Sequence, residues 1–414
     1  MEQVICGASA FELYRIPPQV TLLLPEFPRF STRRQRSAIS RSNDLGPWLN
    51  LPIHTLCDSP SARTRSSAIK DHVWSGDLPS SAIWENNEVG VQYTSPLMTL
   101  LTLAPLVSVH RLTMAAYELC GTFAVYAPTK EMQCELDRLR NQHLAWPGGW
   151  RQVYDHAGKP TSLWHRDPLV TLHELRGFCE ESKGMHGHRQ LCQAARAVTG
   201  VAASPLEVQA SMLLNLTRRR GGEGLGPIVN NHPITLNRDA RILAGQSTCY
   251  ADILFPENDI HPAIDIELQG HMVHDGGRAG GIDSNRMLGL KRMGIEVIMV
   301  TAEQLYNPGR FHRLSAHLSS LLGKRRKAKS AGSRRARPKV RGPFELGTAG
   351  SLSSQRVPAY SISRSARALT SAKTRLKNSS SSRRYTAPVT GWLVRTVSWA
   401  MAQVADTDAA SISY

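Results

Sequence analysis

The sequence contains no run of 18 apolar residues, so no segment has the length and apolar character of a membrane-spanning helix. Its start, MEQVICGASAFELYR, lacks a basic segment followed by an apolar stretch, and no secretory signal is expected. The 7 cysteines, at 6, 57, 120, 134, 179, 192 and 249, never form a CxxC. Scattered and odd in number, they read as reduced thiols of a cytoplasmic protein, many of them buried, and a zinc site is not expected. Acidic residues are scarce in one place. Residues 324–414 hold 19 Lys and Arg against 3 acids, whereas the rest of the chain holds 31 against 30, so the net charge of +17 sits almost wholly in the tail. A flexible basic arm such as KRRKAKSAGSRRARPKVR (324–341) can hold a phosphate backbone without reading sequence; it can equally serve only to solubilise.

At 414 residues, with 41% hydrophobic content, two domains and a tail are expected. Residues 1–125 read as a mostly helical N-terminal region. ICGASAFELYRIPP (5–18) predicts a short helix stopped by Pro17 and Pro18, and 94–124 a buried helix begun by Ser95-Pro96 and stopped by Gly121. Residues 126–167, rich in Pro, Gly, Trp and charge, read as a linker. Residues 168–323 predict an α/β domain with a mixed sheet. In SPLEVQASMLLNLTRRRGG (204–222), Ser204 is a good N-cap, Pro205 a good first helical residue and Gly221 a good stop. A helix over 283–294 would be capped by Asp283, IEVIMV (295–300) would be a buried strand, and a last helix would span 310–322. Residues 324–414, Ser- and Arg-rich, are expected to be disordered.

The chemistry-bearing stretch is AIDIELQGHMVH (263–274). Alternation puts Ile264, Ile266 and Leu268 on one strand face and Asp265, Glu267 and Gln269 on the other. That second face is either solvated or a polar site. CYADILFPEND, just upstream, predicts a second strand and a turn, and an antiparallel hairpin would bring Asp252 near Glu267. Two converging carboxylates are tolerated when a divalent cation neutralises them, and hard oxygen ligands suit Mg²⁺ or Mn²⁺. Glu207, in the first turn of its helix, either complements the helix dipole or stands near that site. His271 and His274 read as a solvated loop pair or as phosphate contacts.

These pieces together resemble a known family. DILFPE, IELQGHMVH, DSNRMLGLKRMGIEVIMVT and QLYNPGRF are similar to the very-short-patch-repair-endonuclease-like domain of the PD-(D/E)XK nuclease superfamily. With ICGASAFELYR (5–15), SPLMTLLTLA (95–104), ELCG (118–121) and SPLE (204–207), the wider arrangement, over roughly 5–322, resembles a group of actinobacterial proteins, some of whose relatives accompany abortive-infection or toxin–antitoxin loci. The resemblance implies a restriction-endonuclease-like domain. It matches Glu207 to the early acid, Asp252 and Glu267 to the metal-binding pair, and Gln269 to the motif lysine. Asp283 and Arg286 match a DxxR that follows, supporting the acids or a phosphate. It implies a Mg²⁺- or Mn²⁺-dependent nuclease acting on DNA, or, because Gln269 replaces lysine, a catalytically inactive nucleic-acid-binding or antitoxin-like regulator. No membrane partner is expected.

Overall fold

Short β-branched runs, spaced too irregularly to reveal their pairing, organise the first part of the chain. The computed structural model describes residues 4–28, 32–39, 45–64, 66–79, 81–86, 91–140, 147–155, 157–269 and 278–325. These divide into two units, one within 4–95 and 128–147, the other within 96–127 and 148–325.

The first unit is built on a five-stranded sheet: β1 (Val4–Ile5), β2 (Ile53–Cys57), β3 (Ile69–Val73), β4 (Ile83–Asn86) and β5 (Val91–Thr94), in the order β3-β2-β1-β5-β4. The expected mostly helical region is therefore corrected to a mixed α/β one. β2 is buried at all five positions, so it shows no alternation to read, and β1 is only two residues long. The expected helix at 5–18 is the shorter Gly7–Leu13, followed by Pro18–Thr21. Its motif residues hold this unit together. Tyr14 donates from its hydroxyl to Thr94 O at 2.7 Å, and Glu12 accepts from the backbone and side chain of Asn50 at 2.9 and 3.1 Å.

The second unit begins with two helices, Pro96–Leu103 and Val109–Cys120, where one was expected. Pro105 lacks an N–H and ends the first, and Ser108 caps the second. A three-stranded sheet follows, β6 (Phe123–Val125), β7 (Arg151–Tyr154) and β8 (Pro160–His165), in the order β6-β8-β7. The expected linker at 126–167 thus carries a helix, Lys130–Arg140, which belongs to the first unit, and the β7–β8 hairpin of the second. Asp155 forms the hairpin turn by accepting from Ala157 N and Lys159 N at 3.0 and 2.8 Å. Trp164, 1% exposed, donates to Tyr126 O at 3.0 Å.

The acid-bearing sheet has four strands: β9 (Val229–Thr235), β10 (Thr248–Phe255), β11 (Ile264–Gln269) and β12 (Glu296–Thr301), in the order β12-β11-β10-β9. β9, β10 and β11 are antiparallel neighbours, while β12 runs parallel to β11. The helix Pro205–Asn215 precedes β9, Arg238–Ala244 links β9 to β10, Arg278–Arg292 makes the crossover to β12, and Pro308–Leu321 closes the unit. The sequence order had missed β9 and the helix after it. VNNHPIT, with its paired Asn and Pro233, lacks a strand pattern. Three further expectations change. Asp283 lies inside the helix Arg278–Arg292 and not at its start. The helix from Ser204 ends at Asn215, before Gly221. β12 is an edge strand, only partly buried. Residues 326–414, where disorder was expected, lie outside the described residues.

A polar relay joins the second unit's first helices to this sheet. The Tyr117 hydroxyl is 2.8 Å from Thr199 Oγ1, which donates to Asn230 Oδ1 at 2.6 Å. Asn230 Nδ2 in turn donates to Ser211 Oγ at 2.6 Å and to Asp252 O at 3.1 Å. Every member is buried or nearly so, and the relay fixes the helix Pro205–Asn215 against β9 and β10.

The other face depends on one glycine. A Cβ on Gly289 would lie 2.7 Å from Ala244 Cβ and 3.0 Å from Ala240 O, so the helices Arg238–Ala244 and Arg278–Arg292 meet there without a side chain. Gly289→Val is expected to lower the urea midpoint, costing about 1–3 kcal/mol by overpacking. An unchanged midpoint would show that the two helices can separate freely.

Candidate functional site

Sheet register assembles the carboxylates. In the β10–β11 pairing Ile253 faces Ile266 and Leu254 faces Asp265, which sets Asp252 across from Glu267 on the face shared with Asp265. Leu268 N donates to Asp252 Oδ2 at 2.9 Å. The acid face is not a wet one. Asp265 is 0% exposed, as enclosed as Ile264 and Ile266 on the other side; Glu267 is 8% exposed and Asp252 half-buried.

Glu207 enters from the helix Pro205–Asn215. Ser204 Oγ accepts from Glu207 N at 3.3 Å, and the Glu207 carboxylate accepts from Ser204 Oγ at 2.8 Å and Ala203 N at 2.7 Å. A first-turn glutamate also favours the positive end of the helix dipole. Burial pushes its carboxyl above the usual range, and the charge of Glu267 adds to that.

Arg286 is the cation of the site. From the helix Arg278–Arg292 its two terminal nitrogens donate to both Glu267 oxygens, at 3.0 and 2.6 Å. It also donates to Tyr250 O. This fork is the strong form of an Arg–carboxylate contact. Burial opposes the guanidinium charge, but Glu267, Asp265 and Asp252 outweigh it and hold Arg286 above its ordinary value.

Asp252 and Asp265 have no such cation of their own. Burial, then the charges of Glu267 and Glu207, push Asp252 up to about 8. Burial, then Glu267, push Asp265 up to about 10. Among the described residues, neither Asp265 oxygen has a hydrogen-bond donor. A proton on Asp265 would be the donor that a hydrogen bond to the neighbouring Glu267 carboxylate requires. Among the described residues, four carboxylates thus share one guanidinium. An orphaned buried carboxylate within an all-oxygen set is what Mg²⁺ or Mn²⁺ would satisfy. Among the described residues, however, no group of His, Cys, Asp and Glu is already arranged to hold a metal ion. Glu267 is turned to Arg286, and Glu207 to its own helix start.

Of the candidates read from the sequence, Glu207, Asp252, Glu267 and Arg286 come together. Gln269 stands at the end of β11, exposed, in register with Thr301. His271, His274 and the side chain of Asp283 lie outside the described residues. Sequence reasoning missed Asn230 and Ser211, which anchor the helix of Glu207, and did not anticipate that Asp265 is buried. Strict alternation was the available signal for Asp265. Elsewhere, His54 Nδ1 and His72 Nε2 lie 2.8 Å apart on β2 and β3. Burial, then His72, push His54 down to about 4, so it is neutral at pH 7.

No protein-family model, curated protein or solved structure matches the chain. Among the described residues, no helix is long and apolar enough to cross a membrane.

The raised acids make stability depend on pH. The folded protein keeps protons that the unfolded chain releases above about pH 4. Their contribution is therefore complete below that pH and is lost as pH rises, until about 8 for Asp252 and about 10 for Asp265. The limiting loss is about 1.4 kcal/mol per pH unit for each group. In metal-free buffer, Asp265→Asn is expected to flatten the fall of the urea midpoint between pH 5 and 8 and to raise the midpoint at pH 8. A slope equal to that of the unaltered protein would contradict the assignment.

Proposed function

We propose that the second unit carries a restriction-endonuclease-like domain of the PD-(D/E)XK superfamily, and that the protein is a metal-dependent endodeoxyribonuclease, used in defence or repair. The element order supports this reading: a helix, three antiparallel strands, a crossover helix and a fourth strand parallel to the third. The observation that carries it is the cluster of buried Asp265 and Glu267 with half-buried Asp252, in which Asp265 has no donor among the described residues.

Asp252 and Glu267 would hold Mg²⁺ or Mn²⁺, with Asp265 beside them. The bound ion supplies a water of lowered pKa and neutralises charge developing on the phosphate. Glu207, with both oxygens fixed by Ala203 and Ser204, is a rigid carboxylate able to orient a water. Arg286, once released from Glu267, can take a phosphate oxygen with the same planar fork. Gln269 offers an amide where the superfamily motif has lysine. It donates hydrogen bonds to a phosphate but adds no charge. His271 and His274 would support the phosphate from the segment after β11.

A second reading is a catalytically inactive nuclease fold that binds nucleic acid, such as an antitoxin-like regulator. Two observations favour it: Gln269 is uncharged and exposed, and Arg286 occupies both oxygens of Glu267.

Plasmid cleavage and thermal melting of the full chain separate the readings. Mg²⁺ or Mn²⁺ is expected to raise Tm and to permit cleavage, because a ligand bound only by the native state stabilises it. Glu267→Gln is expected to abolish both effects while the metal-free protein still melts cooperatively. DNA binding without cleavage, in either metal, would favour the regulator. Neither a metal-induced Tm shift nor cleavage above that of Asp252→Ala would sink the nuclease reading.

A further inference from the structure

Beside β12 lies a cleft of about 480 Å³. The helix Pro308–Leu321 lines it with Arg310, Arg313, Leu314 and His317, spaced i, i+3, i+4 and i+7, and therefore on one face. Ile298 and Met299 of β12 supply its apolar wall. The opposite helix face, with Phe311, Ser315 and Leu318, is buried in the unit. The three cationic or titratable side chains are exposed. Arg310 meets Glu303 at 3.0 Å, with both side chains more than half exposed, a pair weak enough to yield to a better anion. Among the described residues, Arg313 and His317 have no ion-pair partner.

Cations beside an apolar wall select an anion that also carries a flat, partly apolar body. Guanidinium groups both chelate phosphate and stack on rings. A nucleotide has both parts, and the cleft is within the size range of small-ligand pockets. Its place adds a second argument. Met299 is in register with Glu267 on the neighbouring strand, so the cleft begins about 4.8 Å from the carboxylate strand.

We propose that this cleft is a nucleotide-binding subsite, which seats the unit of a DNA strand next to the phosphate held at the carboxylates. The placement beside a scissile phosphate rests on the nuclease reading; the capture of a nucleotide does not. Arg313 and His317 contact the phosphate, Arg310 joins them on leaving Glu303, and the base lies against Met299, Ile298 and Leu314.

The test uses the full chain with a fluorescent 5′-phosphorylated oligothymidylate, followed by anisotropy in EDTA across a salt series. Arg313→Ala combined with His317→Ala is expected to weaken binding about tenfold and to reduce the salt slope by about 0.7 for each phosphate that the variant no longer neutralises, the single-strand value. Both positions are exposed, so an unchanged Tm is the accompanying control. Asp252→Asn is expected to abolish plasmid cleavage while keeping the EDTA binding. Equal binding by the double variant overturns the subsite, and if plasmid is still cut the nuclease reading survives. Absence of cleavage by the unaltered protein, with the tenfold effect retained, removes the nuclease reading and leaves the nucleotide subsite. An unaltered protein that binds no oligothymidylate overturns the proposal, as does a phosphoserine peptide that competes as well as the oligonucleotide.

Discussion

Placing three carboxylates on one enclosed face of a sheet is unfavourable unless cations or protons accompany them. The Arg286–Glu267 fork is the one full ion pair among them, and the arrangement around it follows from that shortage. Glu207 is steadied by two donors from its own helix start, and Asp252 by one backbone N–H. Among the described residues Asp265 has none, and burial with the nearby Glu267 raises its carboxyl far above the usual range. The crossover helix Arg278–Arg292 is thereby tied to β11 at its polar side and to the helix Arg238–Ala244 at Gly289. Losing the guanidinium would leave Glu267 buried and unpaired, a change of the kind that costs about 3–5 kcal/mol. The same fork controls what the site can do. While Arg286 holds both oxygens, Glu267 is unavailable to another cation.

The carboxylate strand was readable from its period of two, and the pairing of Asp252 with Glu267 from the hairpin signal. Ser204 and Pro205 gave the start of the Glu207 helix, because capping chemistry is local. Other features were not readable because their causes are not local. β2 is buried on both faces and has no alternation, and β1 is two residues long. The alternating acids looked as suited to solvent as to a site, and only tertiary packing excludes water from Asp265. Asn230 lies in a stretch with no strand pattern, yet its side chain has four partners spread from Tyr117 to Asp252.

The motif ICGASAFELYR turns out to serve the first unit's packing, through Tyr14 on Thr94 and Glu12 on Asn50. That explains a recognisable pattern without assigning it chemistry. The chemistry gathers instead on one sheet of the second unit. There β11 carries the acids, and its parallel neighbour β12 borders a cationic cleft. A nucleic acid crossing both strands would meet cations and carboxylates in succession.

The carboxyls of Asp252 and Asp265, which burial and neighbouring charge hold above their ordinary range and so favour in the protonated form, would reserve a place for a divalent cation. Calorimetric titration of Mn²⁺ into the metal-free protein at pH 7, in Hepes and in Tris, tests this most directly, since the two buffers differ in ionisation heat. Binding is expected to expel these protons, so that the measured heat changes with the buffer by an amount equal to about one or more protons per ion. Binding with the same heat in both buffers, or no binding, would contradict the claim.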